Sequence, residues 1–444
     1  MLAGLSNSAF AAGFFLPARG VVPQGRGGAP VVPGGGAHAL HDNPAQLMVL
    51  DGTRILIEAG VVSLATEFER TPRQMPNGDL VRYPSVSNDH PLDVLPTLVV
   101  SSDLGIDRFV LALGLMPPWG ARYSYPVDGP QRYASVENTA TAGAGIDLGA
   151  AVEITDWLRL GATFEWIYFD STITVVASGY VGPFGDPEDP DLDILMQAHS
   201  VDAFTPSGVL GAWVAPIPGT LEMAISFQLP YRIQDDDAEL RVRLPSHPIF
   251  DDAVVNGDTV SGGFDLPWTL RTGIRWVHPR GDVELDFNLE GWSVHDAIET
   301  SPEDVSIEGV PAIDEFVVGP FEFENRWQNA MSLRIGSDFQ VIEGLVVRAG
   351  FLWEQSAVPE DRMSVFQIDL TKFMPSVGVS YRVDVLNGLE FNAAYGHYFM
   401  QSTTVSNSVV TQINPTFSDG ALVVGNGYYA QSVDAFGLSV DLGF

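Results

Sequence analysis

From Thr53 onward the chain alternates apolar and polar residues with a period of two. Val283, Leu285, Phe287 and Leu289 share one face, and Glu284, Asp286, Asn288 and Glu290 share the other. Trp268, Leu270, Thr272, Ile274 and Trp276 alternate with Thr269, Arg271, Gly273 and Arg275. Leu345, Val347, Ala349, Phe351 and Trp353 oppose Val346, Arg348, Gly350 and Glu354, and Leu158 to Tyr168 repeats the pattern. Strict alternation predicts strands with one apolar and one polar face.

About fourteen such segments are expected, beginning near Thr53, Leu92, Asp107, Val136, Trp157, Val201, Leu221, Phe264, Asp282, Arg326, Leu345, Met374, Leu389 and Gln431. Short turns such as Asn387-Gly388 and Pro279-Arg280-Gly281 mark one end of the ladder. Long connections over about 174–200, 233–263, 295–325 and 401–430 mark the other. They are expected to be extracellular loops.

A soluble sandwich also alternates, with its apolar face inward. Three features favour lipid. The segments run to about ten residues, against about 5–6 for soluble strands. Trp268 and Trp276 stand at the two ends of one apolar face. Their separation is about 26 Å along a strand at roughly 3.3 Å per residue, or roughly 20 Å along the membrane normal at a tilt of about 40°, near the roughly 25 Å band between the aromatic girdles of a membrane barrel. The opposite face is charged and rich in glycine, as a lumen would be. The chain also closes on an amphipathic strand, Phe436, Leu438, Val440, Leu442 and Phe444. The expected fold is therefore all-β, a transmembrane antiparallel β-barrel of about 14 strands, since only a closed barrel satisfies strand backbone groups in lipid.

Composition sharpens this picture. Of 444 residues, 45% are hydrophobic and 18% charged, yet no apolar run approaches the roughly 20 residues of a spanning helix. With 22 basic and 56 acidic residues the net charge is −34, which excludes a nucleic-acid partner, whose backbone needs clustered positive charge. There is no cysteine, hence no thiolate metal site or Cys nucleophile. No nucleophile elbow, phosphate loop or triad is present, so no enzyme and no cofactor are expected.

The N-terminal residues divide in two. Residues 1–11, with small residues at Ala9 and Ala11, resemble the end of a signal peptide. Residues 12–52 are rich in Gly and Pro but also carry Phe14, Phe15, Leu16, Val21 and Val31. A solvated linker needs no such residues, so this stretch is expected to pack inside the barrel formed by residues 53–444. His38 and His41 within it are read as incidental, with no metal site.

Several stretches together resemble the FadL-type family of outer-membrane transporters of long-chain fatty acids and hydrocarbons. Ala12-Gly13-Phe14 and Asn43-Pro44-Ala45 resemble the mature N-terminus and hatch of that family; Pro118-Trp119-Gly120 with Tyr125 is similar to its third strand; Trp157-Leu158-Arg159-Leu160-Gly161 to its fifth. Trp327-Gln328-Asn329, Arg334-Ile335-Gly336, Arg348-Ala349-Gly350-Phe351 and Val358-Pro359 resemble its most distinctive block. The resemblance implies a fourteen-stranded barrel plugged by an N-terminal hatch, in the outer membrane of a Gram-negative bacterium. It implies passive transport of a hydrophobic compound, with lateral release into the bilayer at a kinked third strand. Pro117, Pro118, Trp119 and Gly120 are the candidates for that kink, because proline cannot donate to the ladder.

Ile194, Leu195 and Met196 are expected on a short helix that captures substrate, following an acidic run of Asp186, Glu188, Asp189, Asp191 and Asp193. That run reads as a solvated loop in preference to a calcium site, lacking the glycine placement of a calcium-binding loop. Arg159, Arg334 and Arg348 are candidate partners for a substrate carboxylate, against the alternative of pairing with lumen acids such as Glu165, Glu284, Asp286 and Glu354. No Lys or Arg lies between Arg159 and Arg232, which points towards a neutral hydrocarbon. Outer-membrane lipid and lipopolysaccharide are the expected surroundings, and a monomer the expected state. The alternatives are a water-filled porin for small solutes and a soluble secreted β-protein.

Overall fold

The computed structural model describes residues 18–75, 77–89, 92–117, 122–139, 141–180, 182, 185–311, 315–318, 321–383, 388–414 and 421–444. Fourteen long strands form one closed antiparallel barrel. They are β1 Thr53–Arg70, β2 Leu92–Ser102, β3 Phe109–Met116, β4 Thr141–Thr155, β5 Leu158–Ser178, β6 Asp193–Ile217 and β7 Leu221–Gln228. The second half comprises β8 Thr269–His278, β9 Gly281–Glu290, β10 Ala330–Ile342, β11 Leu345–Glu354, β12 Lys372–Val383, β13 Leu389–Met400 and β14 Gly427–Gly443. Each pairs with its neighbours in the chain, and β14 returns to pair with β1 from Arg54–Gly443 to Arg70–Gly427.

The two faces of each strand meet different surroundings. Leu285, Ile335, Val377, Phe391 and Leu438 point out and are exposed. Glu284, Asp286, Arg334 and Ser376, which alternate with them, are buried in the lumen. Aromatic side chains frame the outer apolar surface. Trp157, Trp276, Phe339 and Tyr381 are exposed towards the short-turn end. Phe351, Phe373 and Phe399 stack across three strands further up, with centroids 6.2 and 5.1 Å apart. Such paired belts bound the apolar band of a membrane barrel.

The long connections are less loop-like than the sequence suggested. β5 and β6 run on past the barrel wall, so only residues 179–192 connect them. The stretches over 233–263 and 295–325 contain strands Tyr231–Arg243, Thr259–Leu266, Ala297–Glu303 and Phe321–Glu324, which extend the sheet. Here the outer face carries Asp236, Glu239 and Arg241, so both faces lose the apolar signal that alternation reading requires.

Inside the barrel lies the N-terminal segment. It has two short helices, α1 Val21–Gly25 and α2 Ala39–Asp42, followed by a 3-10 turn over Pro44–Val49. Ala29, Val31, Val32, Ala39, Leu40, Ala45 and Leu47 are fully buried. The glycines on the polar face have a steric cause. A Cβ at Gly161 would overlap the Pro44–Ala45 peptide, and one at Gly350 would overlap the Arg26–Gly27 peptide. Glycine at these positions lets two backbones meet at a distance that any side chain would prevent.

Candidate functional site

Polar contacts along its length fasten the N-terminal segment to the wall. Arg26 is buried and pairs with Asp282 at 2.8 Å, with Glu284 at 3.0 Å and with Asp338. Asn43 accepts from the Ala45 N–H at 3.2 Å and donates to the Val31 carbonyl at 3.0 Å, while Pro44 and Ala45 lie against β5. Asn43-Pro44-Ala45 thus holds a 3-10 turn whose backbone abuts the wall. The histidines are not incidental. His38 Nε2 lies 3.1 Å from the Glu58 carboxylate, which also accepts from the Val21 N–H at 2.9 Å. His41 Nδ1 lies 3.1 Å from Glu165, and its Nε2 lies 3.1 Å from Arg271.

Beside these contacts is a cavity with a free volume of about 60 Å³. Val21, Val62, Leu95, Met116, Pro117 and Tyr398 form its apolar wall, and Arg19, His38, Asp42 and Glu58 its polar end. It lies where the wall changes. Among the described residues the β2–β3 ladder spans only Leu98–Ser102 with Leu111–Leu115. Leu92–Thr97 pair with β1 alone. β3 stops at Met116, before Pro117, which has no N–H to offer the ladder. Pro118, Trp119 and Gly120 lie outside the described residues.

Above the cavity the lumen is apolar. Trp292, Trp327, Tyr429, Phe68 and Phe169 are buried there together with Ala357, Val365 and Leu370 from the connection between β11 and β12. Periodicity does not reveal this inward-folded connection, although Val358-Pro359 had marked it as distinctive. The His295 ring lies tilted against Trp327, with centroids 4.5 Å apart and an interplanar angle of 59°. Burial pushes its pKa down to about 4, a fall only partly opposed by the Asp265 backbone carbonyl.

The remaining predicted site residues fall as follows. Ile194, Leu195 and Met196 are not helical but lie on β6, which pairs with β5 up to Ser178. Ile194 and Met196 pack inward against Val175 and Ala177, so they present no helix to solvent. The acidic run is not simply solvated. Glu188 pairs with Arg70, with Arg73 at 2.9 Å and with the Tyr83 hydroxyl at 2.6 Å. Asp186 pairs with Arg73 at 2.7 Å and Asp193 with Arg132 at 2.7 Å. These arginines come from distant parts of the chain, Arg70 from the end of β1, which is why the local sequence showed acid alone. Arg159 pairs with Glu153 at 3.2 Å and covers Trp213 near the short-turn end. Arg334 donates to the Gly28 carbonyl at 2.9 Å and lies 3.6 Å from Glu354. Arg348 pairs with Asp338 at 3.0 Å and bonds Ser380. Arg159 and Arg348 therefore pair within the wall, and Arg334 joins the wall to the N-terminal segment. Among the described residues no group of three His, Asp or Glu side chains is placed to hold a metal ion.

A closed barrel with an apolar exterior, whose lumen holds its own N-terminal segment, defines a class of membrane-spanning β-barrel proteins. The chain belongs to the family of outer membrane transport proteins described as OMPP1/FadL/TodX, whose pattern matches residues 2–439. No curated protein matches it. Among solved structures it is similar to a Pseudomonas aeruginosa FadL homologue, with a TM-score of 0.78 at 15% identity over 98% of this chain and 100% of that one. It is also similar to the P. putida toluene transporter TodX, with a TM-score of 0.68 at 15% identity over 97% and 99%. The Ralstonia pickettii toluene transporter TbuX gives 0.63 at 14% identity over 96% and 99%. At these identities the likeness establishes a shared fold. The family is one of transporters for hydrophobic compounds, which does not favour a water-filled porin.

Proposed function

We propose that the protein carries hydrophobic compounds, long-chain fatty acids or hydrocarbons, passively across the outer membrane of a Gram-negative bacterium. Residues 12–52 act as its hatch and residues 53–444 as its barrel, after removal of residues 1–11. One observation carries the reading: the cavity at Val62, Leu95, Met116 and Pro117 adjoins the place where the β2–β3 ladder ends. An apolar solute gains about 25 cal/mol per Å² on leaving water for such a wall. It loses little on passing sideways into lipid, which is as apolar as the cavity. A polar lumen would supply neither gain, and the charged lumen here is closed by the N-terminal segment's own ion pairs. Solutes enter from the strand extensions, with Ile194–Met196 forming part of that outer collar. The chain works as a monomer among outer-membrane lipid and lipopolysaccharide, without catalysis.

The test is uptake into proteoliposomes. Labelled toluene and palmitate are supplied outside, and the rate is compared with that of liposomes holding a variant cross-linked between residues 21 and 58 through introduced cysteines. Faster uptake of either solute by the free protein, abolished by the cross-link and restored by reductant, supports the reading. Equal rates with and without protein refute it.

A further inference from the structure

The polar end of the cavity shows which kind of hydrophobic compound it is built for. Asp42 lies on α2, is buried and lines the cavity. Its Oδ2 is buried with no hydrogen-bond partner among the described residues. Its neighbour Glu58 differs, being occupied by both His38 and the Val21 N–H. A buried acceptor left without a donor bears an uncompensated desolvation penalty, which a donor-bearing ligand removes. The rest of the wall is apolar, from Val21, Val62, Leu95, Met116, Pro117 and Tyr398. Pockets of this composition use a few polar groups to fix orientation and choose among ligands.

We infer that this cavity binds a small uncharged lipophile carrying one hydrogen-bond donor, a phenol or alcohol, with its O–H donated to Asp42 and its hydrocarbon body against Leu95 and Met116. The inference rests on the transport reading above and narrows its substrate. A carboxylate fits less well, because two acids, Asp42 and Glu58, already line this end. A plain hydrocarbon fills the apolar wall but leaves Asp42 unmet. The free volume of about 60 Å³ is below the roughly 150 Å³ that admits benzene elsewhere. Ring entry therefore displaces Met116, whose side chain is flexible, or the Ala18–Val21 stretch. Sites built to bond a hydroxyl discriminate strongly against the analogue that lacks it.

The experiment uses three probes of one shape: toluene, p-cresol and p-toluate. Their binding to the detergent-folded full chain is measured by equilibrium dialysis, corrected for partition into protein-free micelles. The expected order is p-cresol at least tenfold tighter than toluene, with p-toluate weakest. In Asp42→Leu the p-cresol advantage falls to less than twofold while toluene binding is kept. Equal or tighter wild-type binding of toluene overturns the inference, as does p-toluate binding tightest. The wild-type ratio decides the matter even where Asp42→Leu does not fold. Toluene uptake into proteoliposomes without any p-cresol preference sinks this inference alone, whereas absence of uptake sinks the transport reading.

Discussion

Arg26 donates to the Glu284 carboxylate at 3.0 Å, joining the N-terminal segment to β9 across 258 positions of sequence. The same guanidinium meets Asp282 and Asp338. Asp282 and Asp338 also meet Arg275 and Arg348 of the wall, whereas the fully buried Glu284 takes its ion pair from the segment. Breaking such a buried pair from one side costs about 3–5 kcal/mol, because Glu284 stays behind uncompensated. Arg26→Met is expected to leave the barrel folded but release the segment. Protease cleavage within residues 18–50 and single-channel conductance should both rise. Unchanged conductance together with a protected segment would show that Arg26 is dispensable.

A steric test reaches the same segment without touching charge. Gly161→Val places a side chain where the Pro44–Ala45 peptide now lies. The segment must leave, with a loss of thermal stability of a few kcal/mol, about that of other overpacked interiors. Gly60→Ala is the control, since its added Cβ would sit 3.6 Å from Leu95, an ordinary contact. Unfolding by urea, followed by gel migration of unheated samples, should separate the two variants. Equal midpoints would contradict the close approach described here.

Glu188 is the hub of the outer collar, meeting Arg70, Arg73 and Tyr83. Glu188→Ala removes charged hydrogen bonds worth about 1.5–3 kcal/mol each when buried. Amide exchange over residues 71–75, 77–89 and 185–192 should accelerate at least tenfold, while exchange in β8 and β9 stays as in the wild type. Exchange that is unchanged in the collar would mean that apolar packing alone holds it.

His295 gives a pH prediction. Its folded pKa of about 4 lies below the ordinary 6.5, so the folded protein keeps it neutral where the unfolded chain would protonate it. Its contribution to stability is complete above pH 6.5 and is lost as pH falls from there towards 4. Protonated imidazole quenches a neighbouring indole, and Trp327 stands 4.5 Å away. Tryptophan emission should hold steady from pH 8 to 5 and fall with a midpoint near 4, a step missing in His295→Gln. A midpoint near 6.5 would place the ring in water.

Much of the barrel was readable from the sequence because lipid and lumen impose opposite demands on alternate residues. Val283 to Glu290 shows this directly, and all fourteen expected starts fall near observed strands. Reading failed where that contrast vanished. Tyr231–Arg243 passed for loop because water bathes its outer face. Ile194–Met196 passed for a helix because three apolar residues in a row carry no period that separates the two structures. The acidic run over 186–193 looked unpaired because Arg70, Arg73 and Arg132 reach it only through the fold. Arg334 and Arg348 were legible as inward cations. Their partners Gly28 and Asp338 were not, since pairing across hundreds of residues leaves no local trace. Asp42 was missed altogether, being one acid among many until its surroundings were known.

The seam between β1 and β14 runs unbroken from Arg54–Gly443 to Arg70–Gly427, with Arg54 and Asp441 joined at 2.8 Å. The first strand to be made therefore waits for the last one. A chain halted at any earlier point keeps two naked edges, which invite aggregation. Closure doubles as an inspection: an interrupted copy stays open to chaperones and proteases, and only a finished one can become a tube.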